Sequence, residues 1–238
     1  MSFKPRICVV DDDPGVCRLT CGVLEELGDF ECLPFSSGND LFAEAPLSEV
    51  SCVISDLRMP VMDGLQLLEI LREREPCITL LIVTGQADIA TAVKLMRRGA
   101  TNLLQKPYET SELLQAVREA VQRTEKMRSQ WAKLEIAKSN YDALTDEERD
   151  VVGLLVAGVP NKIIPSQLCM SSRTFDRRKQ SAMTRMQVAS VVDLATLMAR
   201  IASFGALQSA DRFEPLENFP FSTIQMVGQM ARDREINP

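Results

Sequence analysis

The stretch that decides the fold is Ser51 to Gly64, S-C-V-I-S-D-L-R-M-P-V-M-D-G. Cys52, Val53 and Ile54 make an apolar run too short for a helix, and the run ends on a single carboxylate, Asp56. Met59-Pro60 and Asp63-Gly64 then break the chain. The pattern predicts a buried strand that delivers an acid to a loop. In open α/β sheets the chemistry collects outside the carboxyl ends of parallel strands, which makes Asp56 a candidate for work. A solvated loop aspartate is the competing reading, and this stretch alone does not separate the two.

Working outward, residues 6 to 10 are apolar and run into Asp11-Asp12-Asp13, and Pro14 fits the first turn of a helix carrying Val16, Leu19, Val23, Leu24 and Leu27 at helical spacing. Phe30 to Phe35 predicts a second strand, which Pro34 confines to a sheet edge. Helices are expected near Leu41, at Leu65 to Leu71 and at Ala87 to Met96. Two more strands follow: Thr79 to Thr84 ends on a hydroxyl, and Thr101 onward ends on the amine of Lys106, before Pro107. Five strands alternating with helices predict a parallel sheet with right-handed crossovers.

On that topology Asp11 and Asp12, Asp56, Thr84 and Lys106 project over one edge of the sheet. Clustered carboxylates repel one another unless a hard cation sits among them, and Mg²⁺ suits oxygen ligands. Lys106 supplies a positive charge for an anion and Thr84 a hydroxyl donor. A carboxylate nucleophile, a metal and two phosphoryl-oxygen binders are the parts needed to form an acyl phosphate.

Composition bounds the rest. A chain of 238 residues, 25% charged and 45% apolar, can bury a sizeable core and is expected to form two domains. No signal peptide is expected, and the longest apolar run, Val151 to Val159, is half a membrane span, so a cytoplasmic location is expected. Seven cysteines without paired C-x-x-C spacing, in a chain with no histidine, argue against zinc and read as reduced, mostly buried thiols. The missing histidine excludes imidazole acid–base catalysis and a Ser-His triad. Any phosphohistidine must come from another protein. Residues 1 to 122 carry 11 basic and 19 acidic side chains, whereas residues 123 to 200 carry 13 and 9. Acid is concentrated in the first half and base in the second.

Residues 6 to about 122 resemble a response-regulator receiver domain of the CheY type, on the spacing from Asp12 through Asp56 and Thr84 to Lys106-Pro107. The resemblance implies a flavodoxin-like (βα)5 fold with strand order 2-1-3-4-5. It implies that Asp56 accepts a phosphoryl group from a sensor histidine kinase, that Asp11, Asp12, Asp56 and the backbone carbonyl of Arg58 hold Mg²⁺, and that Thr84 and Lys106 bind the phosphoryl oxygens. The receiver would catalyse only its own phosphorylation and dephosphorylation, so the chain is not expected to be an enzyme. One departure stands out: Leu103 replaces the family's usual aromatic residue three positions before the lysine. It is expected to weaken the structural response and not the chemistry.

From Ser111 a helical pattern runs through Trp131 to Ile136, as one long helix or two in tandem. At Thr145-x-x-Glu148 a capping box opens an apolar helix that stops at Ala157-Gly158. A second helix is read at Asn161 to Leu168, a four-residue turn at Cys169 to Ser172, a third helix from Ser171 to about Met186, and a last one capped by Ser190 and running through Ile201. The strings L-T-x-x-E-R, A-G-x-x-N-K and S-x-R-T resemble the LuxR-type helix-turn-helix, and together with the receiver they resemble the FixJ group of response regulators. The third helix turns Phe175, Ala182, Met183 and Met186 inward and Arg173, Arg177, Gln180 and Thr184 outward, flanked by Arg178 and Arg185. That face suits phosphates and guanine edges of double-stranded DNA. Arg173, Thr174, Arg177, Arg178, Lys179 and Gln180 are the candidate contacts, with Asn161 and Lys162, by the resemblance, on phosphates.

The expected division is a receiver at 1–122, a helical linker at 123–143, an all-α four-helix helix-turn-helix domain at 144–202 and a tail of unknown role at 203–238. Val191, Leu194, Ala195 and Met198 read as a seam for a homodimer formed on phosphorylation. Pro165, where the family usually has alanine, keeps a second reading open, in which the C-terminal helices bind protein and not DNA. An aspartyl-phosphate phosphatase of the haloacid dehalogenase kind needs D-x-D-x-[TV] on the first strand, and Gly15 in the fifth position excludes it.

Overall fold

The computed structural model describes residues 4–85 and 102–209. The helix expected at Ala87 to Met96 and most of the tail at 203–238 lie outside the described residues. The chain divides into two compact units, Met1–Gln130 and Trp131–Pro238.

The first unit carries β1 (Arg6–Val10), α1 (Pro14–Gly28), β2 (Glu31–Phe35), α2 (Gly38–Glu44), a 3₁₀ turn (Leu47–Glu49), β3 (Val50–Asp56), α3 (Gly64–Arg74), β4 (Thr79–Thr84) and β5 (Asn102–Gln105). All five strands are parallel, in the order β2-β1-β3-β4-β5. The edge position of β2 is where Pro34 can sit, because a residue without an N–H removes no bond that a central strand would need.

Both faces of the sheet are covered, which is why β3 and β4 read as continuous apolar runs and not as an alternation. One face packs Ile7, Val9, Cys52, Ile54, Leu81 and Val83 against Cys17, Cys21 and Leu24 of α1 and Leu113, Val117 and Val121 of the helix that follows β5. The other packs Cys8, Val10, Val53, Leu80 and Ile82 against Leu41 of α2 and Leu67, Leu68 and Leu71 of α3.

Turn chemistry sets where the helices begin. Asp13 caps α1 by accepting from the backbone N–H of Gly15 and Val16, with Pro14 in the first turn as expected. Asp63 opens α3 with a reciprocal capping box to Gln66. Gly64 lies so close to the end of β3 that a Cβ there would meet the Asp56 carbonyl oxygen at 2.7 Å and Leu57 Cα at 3.1 Å.

A single helix, α4 (Thr110–Asp142), follows β5 and contributes to both units. Thr124 pins it to the base of β4. Its hydroxyl accepts from the Thr79 backbone N–H at 3.0 Å and bonds the Thr79 hydroxyl at 3.0 Å. Arg128 donates to the carbonyls of Leu47 and Val50.

The second unit adds α5 (Asp146–Val156), α6 (Ile164–Gln167), α7 (Ser172–Arg185) and α8 (Val191–Ser209) around a core of Leu144, Val151, Val152, Leu155, Ile164, Phe175, Ala182, Met186, Leu194 and Ile201. The capping box of Thr145 and Glu148 is present, and α5 stops where Gly158 takes the left-handed conformation at φ +76°. Helix α6 starts at Ile164, later than the Asn161 expected, so Pro165 falls in its first turn and removes no intrahelical bond. The last helix continues to Ser209, past the expected end at Ile201, because nothing between them terminates it.

Of the residues expected on a dimer seam, Leu194 is fully buried in the core of its own unit and is not available to a second copy, while Val191 and Met198 are partly buried against the same cluster and Ala195 is half-buried. Among the described residues, no helix is long and apolar enough to cross a membrane.

Substituting Gly64→Ala is expected to cost roughly 1–3 kcal/mol, because backbone and not a flexible side chain blocks the methyl group. Chemical denaturation of the full chain measures it, and the loss belongs to the transition of the first unit.

Candidate functional site

Three strand ends converge. Asp11 leaves β1, Asp56 closes β3, and Lys106 follows β5. Lys106 Nζ lies 2.9 Å from Asp56 Oδ1 and 3.2 Å from Asp11 Oδ2, so one ammonium spans both carboxylates. In the observed strand order β4 separates β5 from β3, so the side chain must cross roughly 10 Å at ordinary strand spacing. A long stem with a compact charge does this. The side chains of Asp11, Asp56 and Lys106 are 10%, 16% and 32% exposed, which leaves the cluster shielded yet reachable from solvent.

Each remaining carboxylate oxygen is held by backbone. Asp56 Oδ2 accepts from the Arg58 N–H at 2.7 Å, and Asp11 Oδ1 accepts from the Asp13 N–H at 3.0 Å. Burial alone would lower Lys106, but its hydrogen bond to Asp56 and the charge of Asp11 outweigh that, and its pKa stands above the ordinary lysine value. The ammonium is therefore retained across neutral pH. Thr84 ends β4 with its side chain buried, and its carbonyl accepts from the Lys106 N–H at 2.8 Å. Asp12 is exposed beside the cluster.

Asp11 and Asp56 are brought together by the fold, whereas Asp12 is not drawn in with them. Among the described residues, no three metal-type side chains gather into one group. The donor set still fits Mg²⁺, which keeps several waters and binds through one or two carboxylates plus substrate phosphate.

The second candidate surface is α7. Phe175, Ala182 and Met186 are buried as expected, while Arg173, Arg177, Gln180 and Thr184 are exposed. Thr174, Arg178 and Lys179 are half-buried, and Asn161 and Lys162 are exposed ahead of α6. Two flanking arginines are engaged elsewhere. Arg178 pairs with Glu147 at 3.6 Å, and Arg185 donates to the Ala143 carbonyl at 3.0 Å.

Glu148, only 6% exposed, ties α7 to α5. The Ser181 hydroxyl, the Thr145 N–H and the charge of Arg185, at 3.9 Å, hold its carboxyl below the usual glutamate range against the opposing effect of burial.

Residues 7–118 match the family described as the response regulator receiver domain, and residues 142–198 match bacterial regulatory proteins of the luxR family. Over 87% of its length the chain is 33% identical to the transcriptional regulatory protein FixJ of Azorhizobium caulinodans, and it covers 96% of that protein. The chain belongs to the FixJ family of response regulators. It is 31% identical to the response regulator protein TodT of Pseudomonas putida, over 82% of this chain and 86% of TodT. Its fold is similar to that of the response regulator StyR, with a TM-score of 0.66 and 28% identity over 83% of this chain and 100% of StyR. As a family member it is a two-component response regulator with a DNA-binding domain, outside the typical enzyme families.

Leu103 pairs with Ile82 in the sheet and packs at the margin of the core formed with α2 and α3, beside the cluster and not in it. Sequence reading missed that Lys106 bridges both acids and that Glu148 is buried. A hint to the latter lay in the sequence, since a capping-box glutamate faces back toward its own helix start.

The pH dependence of the second unit follows from Glu148. Because its folded pKa is depressed, its contribution is fully present above the unfolded glutamate value of about 4.3 and is lost as pH falls through the folded value. Glu148→Gln is expected to cost roughly 1–3 kcal/mol at neutral pH. The gap between wild type and variant, read as thermal stability against pH, should close below pH ~4.

Proposed function

We propose that Asp56 accepts a phosphoryl group from the phosphohistidine of a sensor histidine kinase, and that the receiver at residues 1–122 thereby controls DNA binding by residues 144–202 through the helical segment 123–143. The observation that carries this reading is the single ammonium of Lys106 spanning Asp56 and Asp11. In the transfer, an Asp56 carboxylate oxygen attacks phosphorus as the bond from phosphorus to the kinase imidazole breaks. Lys106 stays charged and binds the phosphoryl oxygens together with the Thr84 hydroxyl, while the Arg58 N–H keeps the carboxylate oriented. Mg²⁺ would be held by Asp11, Asp12, Asp56 and the Arg58 carbonyl, and when bound it neutralises charge on the phosphoryl group. The chain catalyses its own phosphorylation and dephosphorylation and acts in the cytoplasm.

For DNA, Arg173, Arg177 and Gln180 are the exposed groups of α7 that reach base edges, with Thr174, Arg178 and Lys179 beside them. Asn161 and Lys162 meet phosphates ahead of α6. One module of this size covers on the order of 600–1,000 Å² of DNA, so specific binding calls for a homodimer formed on phosphorylation. Because Pro165 sits unstrained in the first turn of α6, it no longer favours a protein-binding module over a DNA-binding one.

Incubation with acetyl phosphate and Mg²⁺ should give wild type an acid-labile, hydroxylamine-sensitive phosphate that Asp56→Asn lacks. A labelled Asp56→Asn protein would remove Asp56 from the role. In DNA titrations across salt concentrations, Arg177→Ala should weaken specific binding by roughly 1–3 kcal/mol. Lys162→Ala should weaken all sequences alike and reduce the salt slope by about 1.

A further inference from the structure

Asp56 and Thr84 end two adjacent strands, and both strands are held at their other ends by one helix. Strand β3 runs from Val50 to Asp56 and β4 from Thr79 to Thr84, paired in parallel from Cys52 with Thr79 to Asp56 with Val83. At the start of β4 the Thr124 hydroxyl accepts from the Thr79 N–H at 3.0 Å and donates to the Thr79 hydroxyl at 3.0 Å, and both threonines are buried. At the start of β3 Arg128 Nη2 donates to the Val50 carbonyl at 2.9 Å and to the Leu47 carbonyl just before it at 3.2 Å. Thr124 and Arg128 stand at i and i+4 on α4, so they share one face of that helix. Both lie beyond the residues 7–118 that match the receiver family, in the stretch of α4 that leads out of the first unit. Satisfying buried backbone groups is the ordinary use of such bonds. Their placement sets these apart, because they fall on the two strands that end at Asp56 and Thr84.

We propose that Thr124 and Arg128 are positioning residues that couple the phosphorylation state of Asp56 to α4. The proposal rests on Asp56 as the phosphoacceptor and names the contacts through which its state is passed on. A phosphoryl group on Asp56 draws in the Thr84 hydroxyl and the Lys106 ammonium, which otherwise spans Asp56 and Asp11, so the ends of β3 and β4 adjust to it. The two strands are covered on both faces and bonded to each other, and a close-packed interior transmits a shift where a loose one would absorb it. At the strand starts the shift acts on α4 at two points one turn apart, which moves the helix and not a single side chain.

The test is backbone hydrogen exchange of the full chain, read by mass spectrometry with and without acetyl phosphate and Mg²⁺, in peptides from residues 129–142 of α4. In wild type, phosphorylation should change exchange there by about fivefold or more, the lower end of ordinary coupling between sites. Thr124→Val and Arg128→Met should take up as much hydroxylamine-sensitive phosphate as wild type and show no phosphorylation-dependent change in 129–142, whatever their basal exchange. Thr124→Ser keeps the hydroxyl and should respond as wild type does. Residues that only stabilise the fold would raise basal exchange and leave the response in place. Phosphorylated Thr124→Val and Arg128→Met that respond in full, a phosphorylated wild type that shows no change in 129–142, or loss of phosphate uptake in both variants would overturn the proposal while leaving Asp56 as the acceptor. A wild type that takes up no phosphate at Asp56 would instead remove the function reading, and the proposal with it.

Discussion

One ammonium between two carboxylates is the constraint on which the first unit depends. Asp11 and Asp56 end neighbouring strands of a parallel sheet, so the fold itself forces two like charges together. Lys106 compensates both, and it comes from two strands away, beyond β4. The arrangement is poised because the same ammonium that neutralises two carboxylates is the group an incoming phosphoryl oxygen would claim. A change at Asp56 therefore redistributes charge at the ends of three strands at once. Hydrogen bonds from Arg58 and Asp13 keep the carboxylates from turning away in search of water.

The second unit solves a different problem. Three of its four helices have 14 residues or fewer, so end chemistry matters as much as packing. Capping side chains at Thr145, Ser171 and Ser190 set where α5, α7 and α8 begin. Buried Glu148 then links the cap of α5 to α7 through Ser181 and Arg185. This fixes the helix that presents Arg173, Arg177 and Gln180 to solvent. Arg178 and Arg185 are recruited to contacts within the unit, whereas Arg173 and Arg177 are left exposed.

Much of this was legible in the sequence, for identifiable reasons. Strand ends were marked by acids, a hydroxyl and an amine after apolar runs, and Pro34 announced the edge strand because a missing N–H has consequences only in a ladder. The face of α7 followed from helical periodicity. What was not legible depended on contacts between distant segments. Nothing local says that Lys106 reaches across β4 to both acids, or that Arg178 turns to Glu147. Periodicity on α8 showed an apolar stripe at Val191, Leu194 and Met198 without saying what covers it; the rest of the unit buries Leu194 and covers Val191 and Met198 in part. Pro165 was ambiguous because a shift of three residues in the start of α6 decides between a kink and a normal first turn.

Sequence-selective DNA binding by the whole chain, gated at Asp56, is the central claim, and selection from a random-sequence duplex pool tests it most directly. The full-length protein would be used with and without prior treatment with acetyl phosphate and Mg²⁺. Enrichment of an inverted repeat, stronger after treatment, is the predicted result. A pool that shows no sequence enrichment in either state would contradict the account.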